Sequence, residues 1–148
     1  MVSLIPEDKR HLLDAGLLEV ASSSAQISGL EVLEAEALRV AGAHAMARLH
    51  RQYDVVLCPT VPNPPPLADA ATIDPLRTLW TEWACWTFAF NLTRQPAMAV
   101  PMGFDESGLP RSVQVAAAQY RDDLVLRAAR TLEVAQPPEV VDLAAALG

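Results

Sequence analysis

Apolar positions recur at three- and four-residue intervals over Leu30, Leu33, Ala37, Val40, His44 and Ala47, the spacing of one helix face. Ser28-Gly29-Leu30-Glu31 precedes them with the spacing of a capping box, in which the serine accepts from the backbone three residues on and the glutamate reaches back. The pattern predicts a helix from about residue 29 to Gln52. At 1.5 Å per residue it would be about 35 Å long. A helix of that length lies across a sheet or a neighbouring domain. Upstream, Pro6 with Glu7 and Asp8 opens a short helical turn, which Gly16 is expected to close. The stretch S-S-S-A-Q-I-S at 22–28 then reads as a polar joint.

Beyond the long helix the period changes. Asp54-Val55-Val56-Leu57-Cys58-Pro59 is a continuous β-prone run, as in a strand buried on both faces. Six of the twelve prolines fall between Pro59 and Pro75, so 59–75 is expected to be an extended loop. Asp74-Pro75 supplies an N-cap and first residue for another helix, with Leu76, Leu79, Trp80, Trp83, Trp86, Thr87 and Phe90 along one broad side. Burial is the favoured reading of such an aromatic stripe, and the wall of a ligand pocket or of a subunit interface is the alternative. Ala97–Val100 and Val113–Ala116 read as two short strands around the loop G-F-D-E-S-G-L-P. A last helix starts at Asp122 or Asp123, carries Leu124, Ala128, Ala129 and Leu132, and stops before Pro137-Pro138. The fold class is therefore α/β, with helices packed on a small mixed sheet in a single domain over 1–148.

Composition adds one demand to this picture. A 148-residue chain that is 51% apolar has more to bury than one small core takes, so a partner surface is expected. No apolar run approaches the roughly 18 residues of a membrane span. A net charge of −7 with a single lysine, Lys9, argues against nucleic acid or an anionic membrane as partner. The start M-V-S-L-I-P-E-D-K-R places its charges after its apolar residues, the reverse of a secretory signal, and leads to an expectation of a cytoplasmic protein. Cys58 and Cys85 lie in apolar stretches and read as buried small hydrophobes, not as a disulfide.

The search for chemistry gives little. His11, His44 and His50 lack metal-site pairing, and neither cysteine has a Cys or His two to four residues away, so no metal and no cofactor are expected. The glycines form no phosphate-binding loop. No serine has the spacing of a known nucleophile motif, Ser22–Ser24 have no glycine beside them, and Cys58 has no histidine associated with it. The expected set of catalytic residues is empty.

Four segments taken in order carry a resemblance. They are Y-D-V-V-L-C-P-T at 53–60, F-N-L-T-R-Q-P-A-M-A-V-P-M-G at 90–103, G-L-P-R-S-V-Q at 108–114 and R-D-D-L-V-L-R-A-A-R-T-L-E at 121–133. Together they resemble the C-terminal third of an amidase signature family hydrolase, over about residues 7–135. The resemblance implies hydrolysis of amide C–N bonds by a Ser–cis-Ser–Lys triad, none of which matches a residue of this chain; Lys9 and Ser22–Ser24 do not fit the motif. It implies a small amide as substrate of the whole enzyme, and a pocket wall here built from Trp83, Trp86, Asn91 and Thr93. Asn91 is further expected to set the turn into the following strand. Two positions depart from the family pattern: Arg94 and Ser112 stand where glycine is usual. The acid of the D-x-x-T that precedes the Asn turn in glutamine-using members is missing from Ala84-Cys85-Trp86-Thr87, which favours a general amidase. A chain lacking the catalytic part would leave apolar surface bare, so a homo-oligomer is expected, burying the tryptophan helix or a sheet edge.

Overall fold

The computed structural model describes residues 5–64 and 84–137. The Asp74-Pro75 helix start, Trp80, Trp83 and most of the proline-rich loop lie outside them.

A 3-10 turn at Glu7–Leu12 follows Pro6. Helix α1 then spans Ala15–Ser24, with the Asp14 carboxylate accepting from the Leu17 amide at 3.2 Å. Gly16 therefore sits in the first turn of a helix and does not close one. Ser22–Ser24 form the last turn of α1, where the reading from sequence had a joint. The hydroxyls of Ser23 and Ser24 donate to the carbonyls of Val20 and Ala21 at 3.0 and 2.8 Å, which satisfies them inside the helix.

Helix α2, Gly29–Leu49, begins with the expected capping box. The Ser28 hydroxyl accepts from the Glu31 amide at 3.3 Å, and the Glu31 carboxylate accepts from the Ser28 amide at 2.8 Å. These bonds to Ser28, the backbone one first, hold the Glu31 carboxyl below its usual pKa. The helix stops three residues short of Gln52, and turns carry the chain on to Tyr53. Its orientation differs from expectation. Leu30 and Leu33 are 66% and 68% exposed, whereas Arg39, Gly42, Met46 and His50, roughly on the opposite side at 100° per residue, are half-buried. The stripe was misassigned because α2 carries apolar residues around its whole circumference, and period alone then selects no face.

Strands β1 (Val55–Pro59), β2 (Ala97–Phe104) and β3 (Pro110–Ala117) form a sheet in the order β1-β3-β2, antiparallel throughout. In its register Val115 of β3 lies between Leu57 and Met98. β1 is thus an edge strand of the described sheet, with Leu57 52% exposed, and is not buried on both faces. Both β2 and β3 run longer than expected. Pro101 is tolerated because β2 is at the edge of the described sheet, and Pro110 because it opens its strand. Between the two strands the Asp105 carboxylate accepts from the amides of Ser107 and Leu109 at 2.8 and 2.9 Å. Gly103 and Gly108 take the positive φ that the β-bulge and the turn require.

Helix α4, Asp122–Ala135, lies on one face of the sheet. Val100, Val115 and Ala129 form the core there, flanked by Val55, Met98, Val113, Ala128 and Leu132. Side chains alternate along a strand, so Gln114 points to the other face. There its amide nitrogen lies 3.5 Å from the Trp86 carbonyl of helix α3 (Cys85–Thr93). α3 therefore covers the second face, and α2 packs outside α3. The close approach occurs at Gly42, where a Cβ would meet Thr93 Cγ2 at 3.8 Å.

Candidate functional site

The C-terminal ends of α2 and α3 meet the start of β2 and the end of β3, and the polar residues of the Asn-x-Thr segment are satisfied at that junction. α3 ends in a Schellman motif. The Gln95 amide donates to the Phe90 carbonyl at 3.0 Å, and the Arg94 amide to the Asn91 carbonyl at 3.2 Å. Arg94 takes the left-handed position itself, with φ 57° and ψ 40°. The backbone conformation that suits glycine is thus kept although arginine occupies it. Asn91 contributes a carbonyl to this turn, while its side chain is exposed and does not occupy the left-handed position. The expectation that Asn91 sets the turn through αL backbone is corrected accordingly: that role falls on the residue three positions later.

From this turn a hydrogen-bonded chain runs to β3 and back to α2. The Gln95 side-chain nitrogen lies 2.8 Å from the Ala117 carbonyl and 2.7 Å from His50 Nε2. His50 Nδ1 is 3.0 Å from the Tyr53 carbonyl, an acceptor only. The proton of a neutral His50 is therefore assigned to Nδ1, which leaves Nε2 to accept from Gln95. The Gln95 side-chain oxygen and the Ala89 carbonyl share the Thr93 hydroxyl, each at 2.7 Å. Gln119 donates to the Thr93 carbonyl at 2.7 Å. Thr93 itself is 6% exposed. The Thr93 hydroxyl, the His50 ring nitrogens and the Gln95 side-chain amide are all partnered, so the junction positions backbone.

The pocket-wall residues expected from sequence are only partly brought together. Thr93 is buried at the junction and Asn91 is exposed beside it. Trp86 lies on the same side of α3 as Thr93 but about 10 Å away along the helix, and is 44% exposed. Trp83 lies outside the described residues. His50, Gln95 and Gln119 were missed as a group because they are 45 and 24 positions apart in sequence. The one available signal was the Q of N-L-T-R-Q-P. Ser112, the second departure from the glycine pattern, donates to the Thr60 hydroxyl at 2.8 Å and ties the ends of β1 and β3 together. Cys58 is half-buried with its sulfur 3.4 Å from the Gln114 amide, and Cys85 is exposed at the start of α3, so Cys85 is not the buried hydrophobe expected. Among the described residues no three His, Cys, Asp or Glu side chains cluster as metal ligands, and no helix is long and apolar enough to cross a membrane.

A groove of about 690 Å³ opens between α2 and this junction. Val40, Ala43 and Met46 form its floor; Arg39, His44, Arg94 and Tyr120 stand around it. Arg39 is held by both carboxylate oxygens of Glu36 and donates to the Leu92 carbonyl at 3.1 Å. This hydrogen-bonded pairing with Arg39 holds the Glu36 carboxyl below its ordinary range, and the charges of Arg39 and Arg94 add to it.

The segments that carried the resemblance form the three strands, the end of α3, and α4. Residues 4–126 match the Amidase family model. The chain is 32% identical over 143 residues to an acylamidase of Rhodococcus erythropolis, covering 88% of this chain and 28% of that protein. It is also 32% identical to a subunit of the glutamyl-tRNA(Gln) amidotransferase of Cyanothece sp., over 89% of this chain and 26% of that one. The solved structure of 6-aminohexanoate cyclic dimer hydrolase superposes with a TM-score of 0.69 at 26% identity, over 90% of this chain and 29% of that chain. The chain therefore spans between a quarter and a third of the length of these relatives. It belongs to the amidase family.

Proposed function

We propose that these residues are the C-terminal portion of an amidase-like hydrolase of amide C–N bonds, and that they supply scaffold and one wall of a pocket. The Ser–cis-Ser–Lys triad that does the chemistry in the family matches no residue here, so the portion alone is inactive. One observation carries the reading. The family match and the fold likeness extend over nearly the whole chain, yet the chain covers only 26–29% of its relatives. Acyl transfer to water needs an activated nucleophile and donors for the oxyanion, and the partnered Thr93, His50 and Gln95 side chains favour a scaffold role. The wall would consist of Trp83, Trp86, Asn91 and Thr93, and the substrate of the whole enzyme would be a small amide, with no nucleic acid and no membrane involved and a cytoplasmic location.

The test is an assay of the purified 148-residue chain on a panel of aliphatic and aryl amides. No turnover above background is expected. Steady turnover abolished by one point substitution in this chain would overturn the proposal.

A second reading is a non-catalytic module that self-associates. The exposed outer side of α2, with Leu30 and Leu33 in the open, favours it. Both readings share a homo-oligomer as their consequence for the isolated chain, because that side has to be covered.

A further inference from the structure

Two described residues other than glycine have positive φ: Arg94 at 57° and Tyr120 at 66°. Left-handed backbone costs an L-residue with a side chain about 1–2 kcal/mol. Both residues border the same groove beside α2. Tyr120 is 91% exposed, so its ring gains no burial in exchange for its conformation. Strain of this kind collects at ligand clamps, and here two separate turns bring a guanidinium and a phenol to one groove.

The charges indicate what would lie between them. Arg39 is committed to Glu36; the charge of Arg94 also acts on the Glu36 carboxylate, but no described carboxylate forms an ion pair with Arg94. An arginine offers a carboxylate two parallel N–H donors. The floor of Val40, Ala43 and Met46 suits a short apolar body. α2 and α3 both end here, so the partial negative charge of two helix C-termini works against any anion in the groove, and against a multiply charged one such as phosphate more than against a monocarboxylate.

We propose that the groove between α2, Arg94 and Tyr120 is a binding site for a small monocarboxylate with a short aliphatic body. Arg94 holds the carboxylate, Tyr120 covers the chain from above, and the α2 floor takes the methylenes. The groove shares Thr93 with the proposed pocket wall, but the assignment rests on Arg94, Tyr120 and the α2 floor and holds whether or not the portion serves an amidase.

Titration of the intact 148-residue chain with pentanoate, followed by backbone amide shifts, tests it. Saturable shifts are expected at Arg94, Gln119 and Tyr120, with an affinity in the millimolar range. Pentanamide, of the same shape without the charge, is expected to bind at least tenfold more weakly, and inorganic phosphate not to compete. Arg94→Gly removes the cation and relieves the backbone at once. Its pentanoate affinity is expected to fall at least tenfold while its Tm stays level or rises. Arg94→Gln keeps the strained backbone and is expected to lose the same affinity. No saturable shift with pentanoate, equal binding of pentanamide, competition by phosphate, or undiminished binding by both Arg94 variants would each overturn the assignment.

Discussion

The two helical layers on either side of the sheet teach different things. α4 is amphipathic: Val125 and Ala129 are buried on the sheet while Arg127 and Arg130 face outward, so this layer closes on itself. α2 carries apolar residues on all sides, interspersed with charged ones, yet only the side facing α3 and the junction is covered. Leu30, Leu33 and Leu38 of α2 are left in the open. The contrast separates a layer whose apolar residues are buried on the sheet from one that leaves leucines exposed.

The largest expected effect contrasts the two layers directly. Ala129→Asp puts an unpaired carboxylate into the α4 core, where Ala129 is 2% exposed, and should cost more than about 4 kcal/mol, enough to prevent folding. Leu33→Asp on the outer side of α2 should leave the stability of the monomer within about 0.5 kcal/mol of the parent. Circular dichroism melts of the two proteins decide this. Equal losses would mean that α2 is already covered.

The junction joins the layers, and Gln95 is its hub. Gln95→Ala leaves the Ala117 carbonyl and His50 Nε2 without their donor and should cost about 1–3 kcal/mol by chemical denaturation. Asn91→Ala, three residues before the left-handed position, should stay within about 0.5 kcal/mol, since the turn uses its carbonyl. A loss at Asn91 as large as at Gln95 would return the turn-setting role to the asparagine side chain.

The smallest effect is that of pH on the exposed ion pairs. The carboxyls of Glu36 and Asp123 are held below their ordinary values, in each case first by a hydrogen bond from an arginine, Arg39 and Arg121 respectively. A carboxyl whose folded pKa is depressed contributes stability that is present above the unfolded pKa and lost as pH falls through the folded one. A modest fall in Tm is therefore expected roughly between pH 5 and pH 3. Arg39→Met and Arg121→Met together should flatten it; an unchanged slope would mean that these pairs contribute nothing to the acid response.

What was legible in the sequence was local. The capping box at Ser28 and Glu31, the Asp105 hairpin and the α4 boundaries each follow from residues within a few positions of one another. The four family segments were legible for the same reason, since each is short and keeps its order. The covered side of α2, the edge position of β1, the exposure of Cys85 and the His50–Gln95 link all depend on which distant element arrives. A helix with apolar residues on every side carries no periodic signal for that. The left-handed backbone of Arg94 was invisible for a further reason: the pattern marked a glycine position, and only coordinates show that arginine adopts the glycine conformation.

The central claim is that the outer side of α2 requires a covering surface. Sedimentation velocity of the pure chain at micromolar concentration, beside Leu33→Asp, tests it most directly. A two-fold dimer is expected for the parent chain and a folded monomer for the variant. A parent chain that sediments as a clean monomer, with its tryptophan fluorescence shielded from solvent, would contradict it.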